Sequence, residues 1–97
     1  MFARVTTVQT KVDKKDEATK VSKDSVLPAA KSQKGFVGAE LLTDIAGKGL
    51  FITFWDTEED AIANEKSGYY QEQLAKFKDL FAAPPIHEGY DVVFKTD

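Results

Sequence analysis

The sequence predicts one α+β domain in which two helices cover one face of a four-stranded antiparallel sheet, in the order β-α-β-β-α-β. Stretches rich in Val, Thr and aromatic residues alternate with stretches whose apolar residues recur at helical spacing. Glycines and prolines fall between these stretches, where turns are expected. The length of 97 residues is typical of one domain, so we expect residues 1–97 to fold as a single unit.

The first third of the chain predicts a strand followed by a helix. Residues 2–11 are rich in β-branched side chains, which favour extended backbone. Asp13 is a candidate N-cap for the helix, because its carboxylate can accept hydrogen bonds from free backbone N–H groups. Pro28 should bend this helix or end its regular part, since it has no N–H group to donate. Gly35 can take the left-handed conformation that ends a helix.

The middle of the chain predicts a hairpin and a second helix. Residues 36–45 and 50–55 are expected to pair as strands, because the Ala-Gly-Lys-Gly turn between them is short and rich in glycine. The Thr-Glu-Glu-Asp sequence at residues 57–60 resembles a capping box and should start the helix. Ser67-Gly68 should break this helix into two pieces.

The last third of the chain predicts an apolar helix face and a final strand. The second helical piece carries an apolar stripe at helical spacing, formed by Tyr70, Leu74, Phe77 and Phe81. The Ala-Ala-Pro-Pro sequence that follows should be an extended connector, because proline cannot continue a helix. Residues 86–94 should form the last strand, with three apolar residues on one face: Tyr90, Val92 and Phe94.

Both faces of the two middle strands are apolar. In residues 50–55, one face is expected to carry Leu50, Ile52 and Phe54 and the other Phe51 and Trp55. In the preceding strand, Phe36 and Leu42 are expected to lie opposite Val37, Ala39 and Leu41. Helices can cover only one of these faces, and large exposed apolar patches are rare on monomers. We therefore expect a homodimer that forms through the sheet faces, with a ligand pocket or scattered surface aromatics as the alternative.

Composition argues against several classes of partner. The net charge of -3 does not suit nucleic acid, whose binding depends on clustered Lys and Arg. The sequence has no cysteine for disulfides or thiolate metal sites. No apolar run approaches the ~20 residues of a membrane helix, and no secretion signal opens the chain, so a cytoplasmic protein without a membrane partner is expected.

These pieces, in their order, resemble the antibiotic biosynthesis monooxygenase-like family of the dimeric α/β-barrel superfamily, which has a ferredoxin-like fold. The matching pieces are the opening Ala-Arg-Val-Thr-Thr-Val strand, Val-Leu-Pro-Ala-Ala leading to Gly35, the Phe-Trp-Asp-Thr-Glu-Glu-Asp-Ala junction that starts at Phe54, and Ser-Gly-Tyr-Tyr with Phe77 downstream. The resemblance implies a homodimer and a cavity between the sheet and the helices of each subunit. In some relatives this cavity oxidises aromatic polyketides or quinol-like substrates without metal or flavin, and other relatives degrade haem.

Three residues are the candidate catalytic groups. Trp55, at a position where the family commonly has a tryptophan, could stack on an aromatic substrate. Asn64 could donate a hydrogen bond to a carbonyl or anionic oxygen. The phenol of Tyr70 could bond a substrate oxygen. Each residue also has a structural interpretation, as core or interface filler for Trp55, helix surface for Asn64 and core tyrosine for Tyr70.

Three further residues are candidates for substrate binding. Arg4, on the first strand, could hold an anionic oxygen, or it could form a salt bridge across the dimer. Tyr69 has the same chemistry as the tyrosine that follows it, and one of the two should face the core. Phe54 lies beside the tryptophan in the strand-to-helix junction.

The single histidine, His87, is expected to be solvated or at an interface, because it starts the last strand next to Glu88. Haem-degrading relatives use a histidine on a helix, where this chain has Ala-Asn-Glu-Lys at residues 63–66. We therefore expect no haem, no metal and no other cofactor. The predicted function is a cofactor-independent monooxygenase for a small aromatic or quinol-type substrate. The alternative is a non-catalytic, small-ligand-binding or stress-related dimer.

Overall fold

The computed structural model describes residues 1–96, and for Tyr69 the backbone only. One antiparallel sheet contains β1 (Phe2–Thr10), β2 (Phe36–Thr43), β3 (Lys48–Trp55) and β4 (Phe81–Asp91). The strand order across the sheet is β2-β3-β1-β4, so β1 and β3 are central and β2 and β4 are the edges. The predicted α+β, ferredoxin-like fold is confirmed.

Two helical regions connect the strands. The first contains a 3-10 turn (Val12–Lys14), α1 (Lys15–Val21), a π-helical stretch (Ser22–Val26) and α2 (Leu27–Lys31). The second contains α3 (Glu58–Lys66) and α4 (Tyr69–Ala75). Within residues 1–96, no helix has the length and apolar character needed to cross a membrane.

Most of the predicted helix signals are confirmed, and one is wrong. Pro28 lies in the first turn of α2, directly after the π-helical stretch, so it interrupts the regular helix as expected. Gly35 has a positive φ of 81° after α2. Thr57 caps α3, because its hydroxyl accepts a hydrogen bond from the backbone N–H of Asp60 at 3.1 Å. Asp13 does not cap a helix: it lies inside the 3-10 turn, and neither this turn nor α1 has a side-chain cap.

The last strand starts earlier than predicted. Phe81 begins β4 instead of ending a helix, and the Ala-Ala-Pro-Pro segment belongs to the strand. The prolines fall where the register between β1 and β4 shifts, between the pairs Thr7–Ile86 and Gln9–Ala83. An edge strand tolerates proline at such a shift because no neighbour on its outer side needs an N–H donor. The strand ends at Asp91, so the predicted continuation through residue 94 is wrong.

A register shift in β2 changes the face of one aromatic residue. Phe36 pairs with Trp55, whereas Gly38 pairs with Phe54, so one extra residue is present on β2. This bulge reverses the alternation of side chains, as a one-residue shift must. The Phe36 ring therefore packs edge-on against Trp55, with centroids 5.6 Å apart, and does not share the face of Leu42 as we had expected.

The core lies between the sheet and the helices in two clusters. One contains Phe2, Trp55 and Ala61, with Phe36 packed against them. The other contains Ala18, Phe77 and Leu80, with Val21, Val26 and Phe81 packed against them. Residues of both clusters also line one cavity.

The sheet face away from the helices is mostly apolar, with Glu40 and Glu88 on its edge strands, and no helix of residues 1–96 covers it. Alternation along the central strands places four half-buried side chains there: Val5, Leu50, Ile52 and Phe54. The edge strands add more exposed ones: Leu42, Ile86 and Tyr90, with exposures of 51%, 60% and 50%. The two-sided apolar character predicted from the sequence is therefore present.

Candidate functional site

A cavity of about 330 Å³ lies between the sheet and the helices. All four strands and both helical regions contribute to its lining. The larger part of the wall is apolar and includes Val8, Leu41, Phe51, Leu74, Phe77 and Phe81. The cavity is therefore large enough for a small organic molecule with an apolar body.

One group of polar side chains lies around the start of β1 and the end of β3 and contains Arg4, Thr6, Thr53, Asn64 and Tyr70. Other polar residues line the rest of the cavity: Thr10, Lys15, Asp16, Thr19, Ser22, Thr43 and Gln73. Arg4 and Thr6 alternate along β1 and so share its helix-facing side, and Arg4 pairs with Thr53 across the sheet. Helices α3 and α4 supply the asparagine and the tyrosine from above.

Trp55 is both a core residue and part of the cavity wall. Its side chain is 1% exposed, and the ring of Phe36 packs against it almost at a right angle. Its indole N–H donates a hydrogen bond to the hydroxyl of Thr53 at 2.8 Å. The indole orientation is therefore set by packing and by a hydrogen bond, which gives the cavity a rigid aromatic surface.

Asn64 carries a buried hydrogen-bond donor without a protein partner. The residue is 7% exposed and lines the cavity from α3. Among the described residues, its amide nitrogen Nδ2 is buried and has no hydrogen-bond acceptor. Buried polar groups are rarely left unpaired, because each one costs about 1–3 kcal/mol. The free amide is thus a donor that a ligand oxygen can satisfy.

Arg4 is held beside the cavity by an ion pair with Glu65 of α3. Arg4 therefore has an acidic partner within its own chain. Gly89 of β4 lies opposite Arg4 and leaves room for its side chain. A Cβ atom at residue 89 would lie 3.0 Å from Nη1 of Arg4 and 2.5 Å from Cζ of Phe2. The carboxylate balances much of the guanidinium charge, so the site is not strongly cationic.

His87, which the sequence predicts to be solvated or at an interface, lies half-buried next to this polar group. Its ring is half-buried behind Tyr70, whose hydroxyl oxygen lies 2.5 Å from Nδ1 and 2.9 Å from Nε2. The hydroxyl of Thr6 lies 3.0 Å from Nδ1. Burial lowers the pKa of His87 below its ordinary value, with a smaller opposing effect from Glu65 and a lowering effect from Arg4. The imidazole is therefore neutral near pH 7 and can accept a proton.

The structure brings together four of the six site residues predicted from the sequence: Arg4, Trp55, Asn64 and Tyr70. The prediction that places Phe54 at the site is wrong. Trp55, the next residue of β3, faces the cavity, so Phe54 points to the opposite face of the sheet. There its ring contacts the Lys95 ammonium group, 5.4 Å from the ring centroid. The side chain of Tyr69 lies outside the described part of the structure.

Sequence reasoning did not assign four residues to the site: Thr6, Thr53, Glu65 and His87. The alternation of side chains along β1 could have found Thr6 from Arg4, two residues earlier. No local signal indicates that Glu65 or His87 reaches the same place, since each comes from a different element. Residues 1–96 contain no group of three or more His, Cys, Asp or Glu side chains placed to hold a metal ion.

The arrangement can bind a flat apolar molecule that has an oxygen at one end. The apolar wall and Trp55 would contact the body of such a molecule, while Asn64 donates to its oxygen. Tyr70 can exchange a proton with the same oxygen or with a neighbouring carbon, because its hydroxyl is hydrogen-bonded to a neutral imidazole.

Comparison with known proteins links this chain to one family. A family model described as antibiotic biosynthesis monooxygenase matches residues 1–81. A structure of a proposed antibiotic biosynthesis monooxygenase from Nitrosomonas europaea superposes with a TM-score of 0.81 at 16% identity, covering 97% of this chain and 100% of that one. A structure described in the same way from Deinococcus radiodurans superposes with a TM-score of 0.81 at 12% identity, covering 100% of this chain and 97% of that one. Another, from Caulobacter crescentus CB15, superposes with a TM-score of 0.80 at 18% identity, covering 96% of this chain and 90% of that one. No curated protein matches the chain significantly.

Proposed function

The chain belongs to the antibiotic biosynthesis monooxygenase family, and from this premise we propose that it is a cofactor-independent monooxygenase acting on a small aromatic or quinol-type substrate. The observation that carries the proposal is the unpartnered amide of Asn64, which faces a cavity walled by an aromatic ring. A buried donor of this kind favours an oxygen that becomes negatively charged during a reaction.

Each part of the substrate would have a defined contact. The ring system would lie along Trp55 and the apolar wall, where burial of apolar surface contributes about 25 cal/mol per Å². Its oxygen would accept a hydrogen bond from Nδ2 of Asn64. Tyr70 would remove or return a proton. Arg4, whose positive charge is partly balanced by Glu65, would lie near the oxygen. An electron-rich anion held in this way is the form of a quinol or anthrone that reacts most readily with oxygen.

We propose that the protein works as a homodimer. The uncovered apolar sheet face, with Ile52 near its centre, is a surface that a second copy could cover. In that arrangement the helix-side cavity would stay separate in each subunit, because it lies on the other side of the sheet. The cytoplasmic location stays a prediction from the sequence.

An oxygen-uptake screen with anthrone-like and quinol-like compounds tests the activity. We expect the protein to consume oxygen above the rate without protein, and Asn64→Ala to lower kcat by about 10²–10³-fold, as loss of a donor to a developing anion does. Trp55→Phe and Tyr70→Phe should also lower the rate. The matched control is Glu59→Ala, which changes an exposed residue of the same helix as Asn64 and should keep the wild-type rate.

Two results would contradict the proposal. One is the same oxygen uptake with and without protein for every compound in the screen. The other is full activity in folded Asn64→Ala protein, since the amide would then have no part in the chemistry. Circular dichroism of each variant establishes that it is folded before its rate is compared.

The alternative is a non-catalytic, small-ligand-binding or stress-related dimer, favoured by the mostly apolar lining of the cavity. Binding and catalysis can be separated because Trp55 is the only tryptophan and lines the cavity, so its fluorescence reports occupancy. Quenching by an aromatic ligand, without oxygen uptake for any compound, would favour the alternative.

A further inference from the structure

The pair formed by Tyr70 and His87 connects the cavity with the edge of the sheet. Tyr70 lines the cavity, whereas His87 is on the edge strand β4 and is not part of the lining. The two rings meet edge to face with centroids 5.2 Å apart, and their polar atoms are within hydrogen-bond distance. The phenol is thus between the cavity and a half-exposed base.

The hydrogen bonds around His87 fit a neutral ring that accepts from Tyr70. The Tyr70 hydroxyl oxygen lies within hydrogen-bond distance of both ring nitrogens, 2.5 Å from Nδ1 and 2.9 Å from Nε2, and can donate to the nitrogen that carries no proton. In the tautomer with the proton on Nδ1, this nitrogen donates to Thr6 Oγ1 at 3.0 Å and Nε2 accepts from Tyr70. This arrangement uses one donor and one acceptor on the imidazole, as the neutral form requires.

The charged groups that face His87 from the neighbouring elements have opposing effects. Glu65 of α3 favours the imidazolium, and its partner Arg4 of β1 opposes it. Burial favours the neutral ring and is the largest influence on the pKa. Glu88, the neighbour on β4 itself, points to the opposite face of the sheet. The ring is neutral at rest, and a carboxylate is close enough to stabilise a transient positive charge.

We propose that Tyr70 and His87 form a proton path from the cavity to the outer edge of the sheet, in which Tyr70 takes a proton from a bound acidic ligand while it gives its own to His87. The inference rests on the proposed function for the choice of an acidic aromatic ligand. His87 does not touch the ligand and acts as a positioning residue through Tyr70.

The proposed step conserves atoms and charge. An O–H or acidic C–H bond of the ligand breaks, and its electron pair stays on the ligand, which becomes an anion. The proton goes to the Tyr70 oxygen as the O–H bond of Tyr70 breaks, and the tyrosine proton forms a bond to Nε2 of His87. The products are a ligand anion facing Asn64 and an imidazolium that can lose its proton to water. No oxidant takes part in this step.

A chromogenic phenol tests the path directly. Nitrophenol absorbs visible light only as the anion, so titration of the protein-bound probe measures its ionisation, and quenching of Trp55 measures its binding. With wild-type protein we expect the bound probe to ionise about 1 pH unit below the free probe, the size of shift that a favourable partner for the anion produces. His87→Gln can form hydrogen bonds but cannot take up a proton, so the shift should become smaller while quenching persists. Tyr70→Phe should reduce the shift in the same way.

The unliganded protein provides an independent measurement. His87 is the only histidine, so one imidazole signal in an NMR titration reports its pKa. Tyr70→Phe should change that pKa, because the ring loses its hydrogen-bond partner. Glu72→Gln, an exposed change on the same helix, should leave both the pKa and the probe shift as in the wild type.

The outcomes separate this inference from the proposed function. An ionisation shift that His87→Gln reduces, in a protein without oxygen uptake, would support the proton path and refute the monooxygenase. Oxygen uptake with a wild-type pH profile in the His87→Gln variant would refute the proton path and would still support the monooxygenase activity. An absent shift in the wild type, or an equal shift in the glutamine variant, would also refute the path. Failure of the probe to bind would overturn the inference together with the cavity assignment.

Discussion

Asn64 is the residue that distinguishes this cavity from an ordinary packing gap. A cavity lined only by apolar side chains stays dry and needs no ligand, whereas a buried amide donor without an acceptor destabilises the folded protein by about 1–3 kcal/mol. The described part of the chain leaves the amide nitrogen of Asn64 in this condition. Proteins tend to retain an unpaired buried group where binding or catalysis uses it.

Replacing Asn64 by leucine should therefore separate stability from binding. Asn64→Leu keeps a similar shape and removes the unpaired donor, so we expect the free energy of unfolding of the unliganded protein to stay the same or rise by about 1 kcal/mol. Binding of a quinol-type ligand, followed by Trp55 fluorescence, should weaken. Urea denaturation and fluorescence titration measure the two effects.

A matched control variant should change the free energy of unfolding in the opposite direction. Thr53→Val also replaces a polar cavity residue by an apolar one of similar shape, but it removes the acceptor of the Trp55 indole N–H. We expect it to lower the free energy of unfolding by about 1–3 kcal/mol, because a buried donor loses its partner. A loss of that size in the leucine variant of Asn64 would contradict our assignment of its amide as unpartnered.

At the scale of elements, the segment from α4 into β4 shows how a correct burial pattern can accompany a wrong helix boundary. The spacing of Tyr70, Leu74, Phe77 and Phe81 predicted one apolar face, and all four residues line the cavity. The helix itself ends at Ala75, and turns with hydrogen bonds between residues three apart continue the chain. No glycine or proline marks this end in the sequence, so periodicity alone could not locate it.

Phe77 is the residue on which this segment depends most. It is 7% exposed and stacks on Phe81, with centroids 5.1 Å apart and planes 14° apart. Phe77→Ala should lower the free energy of unfolding by about 3–5 kcal/mol, because it removes a buried ring and enlarges the cavity. Chemical denaturation monitored by circular dichroism measures the loss.

The neighbouring exposed residue supplies the comparison for Phe77. Lys78→Ala should change the free energy of unfolding by less than about 0.5 kcal/mol. A loss below about 1 kcal/mol for Phe77→Ala would mean that the second core cluster contributes little to folding.

At the scale of the whole molecule, the two sides of the sheet differ. One side, with the helices, encloses the cavity. The other has a continuous apolar surface on β1 and β3, with Ile52 between its neighbours Val5 on β1 and Glu40 on β2. A chain of 97 residues buries a modest core, so covering this second face would add stability that the single chain lacks.

We predict a homodimer that forms through this face. Light scattering at micromolar concentration should give about twice the chain mass of 10.8 kDa. Ile52→Lys should shift the protein to monomer, because it places a charge in the centre of the interface. Ile62→Lys, the same substitution at an exposed position on α3, should leave the dimer intact. A wild-type monomer, or a dimer unaffected by Ile52→Lys, would contradict this assignment.

The sequence by itself determined the order of the elements, the hairpin, the cap at Thr57, and the apolar character of both sheet faces. These features depend on neighbours within a few residues, where side-chain period and backbone preference act directly. It also singled out Trp55 and Asn64, with help from family resemblance. It did not determine which aromatic residue faces the cavity.

Only the tertiary structure decided how distant residues meet. A single bulge in β2 moved Phe36 to the helix side, and alternation from Trp55 moved Phe54 away from the cavity. Tyr70 and His87 are 17 positions apart, and Arg4 and Glu65 are 61 apart, so no local pattern links the members of either pair. Their contacts depend on strand register and on the packing of helices over the sheet. That packing turned an isolated histidine into a neutral base beside a phenol.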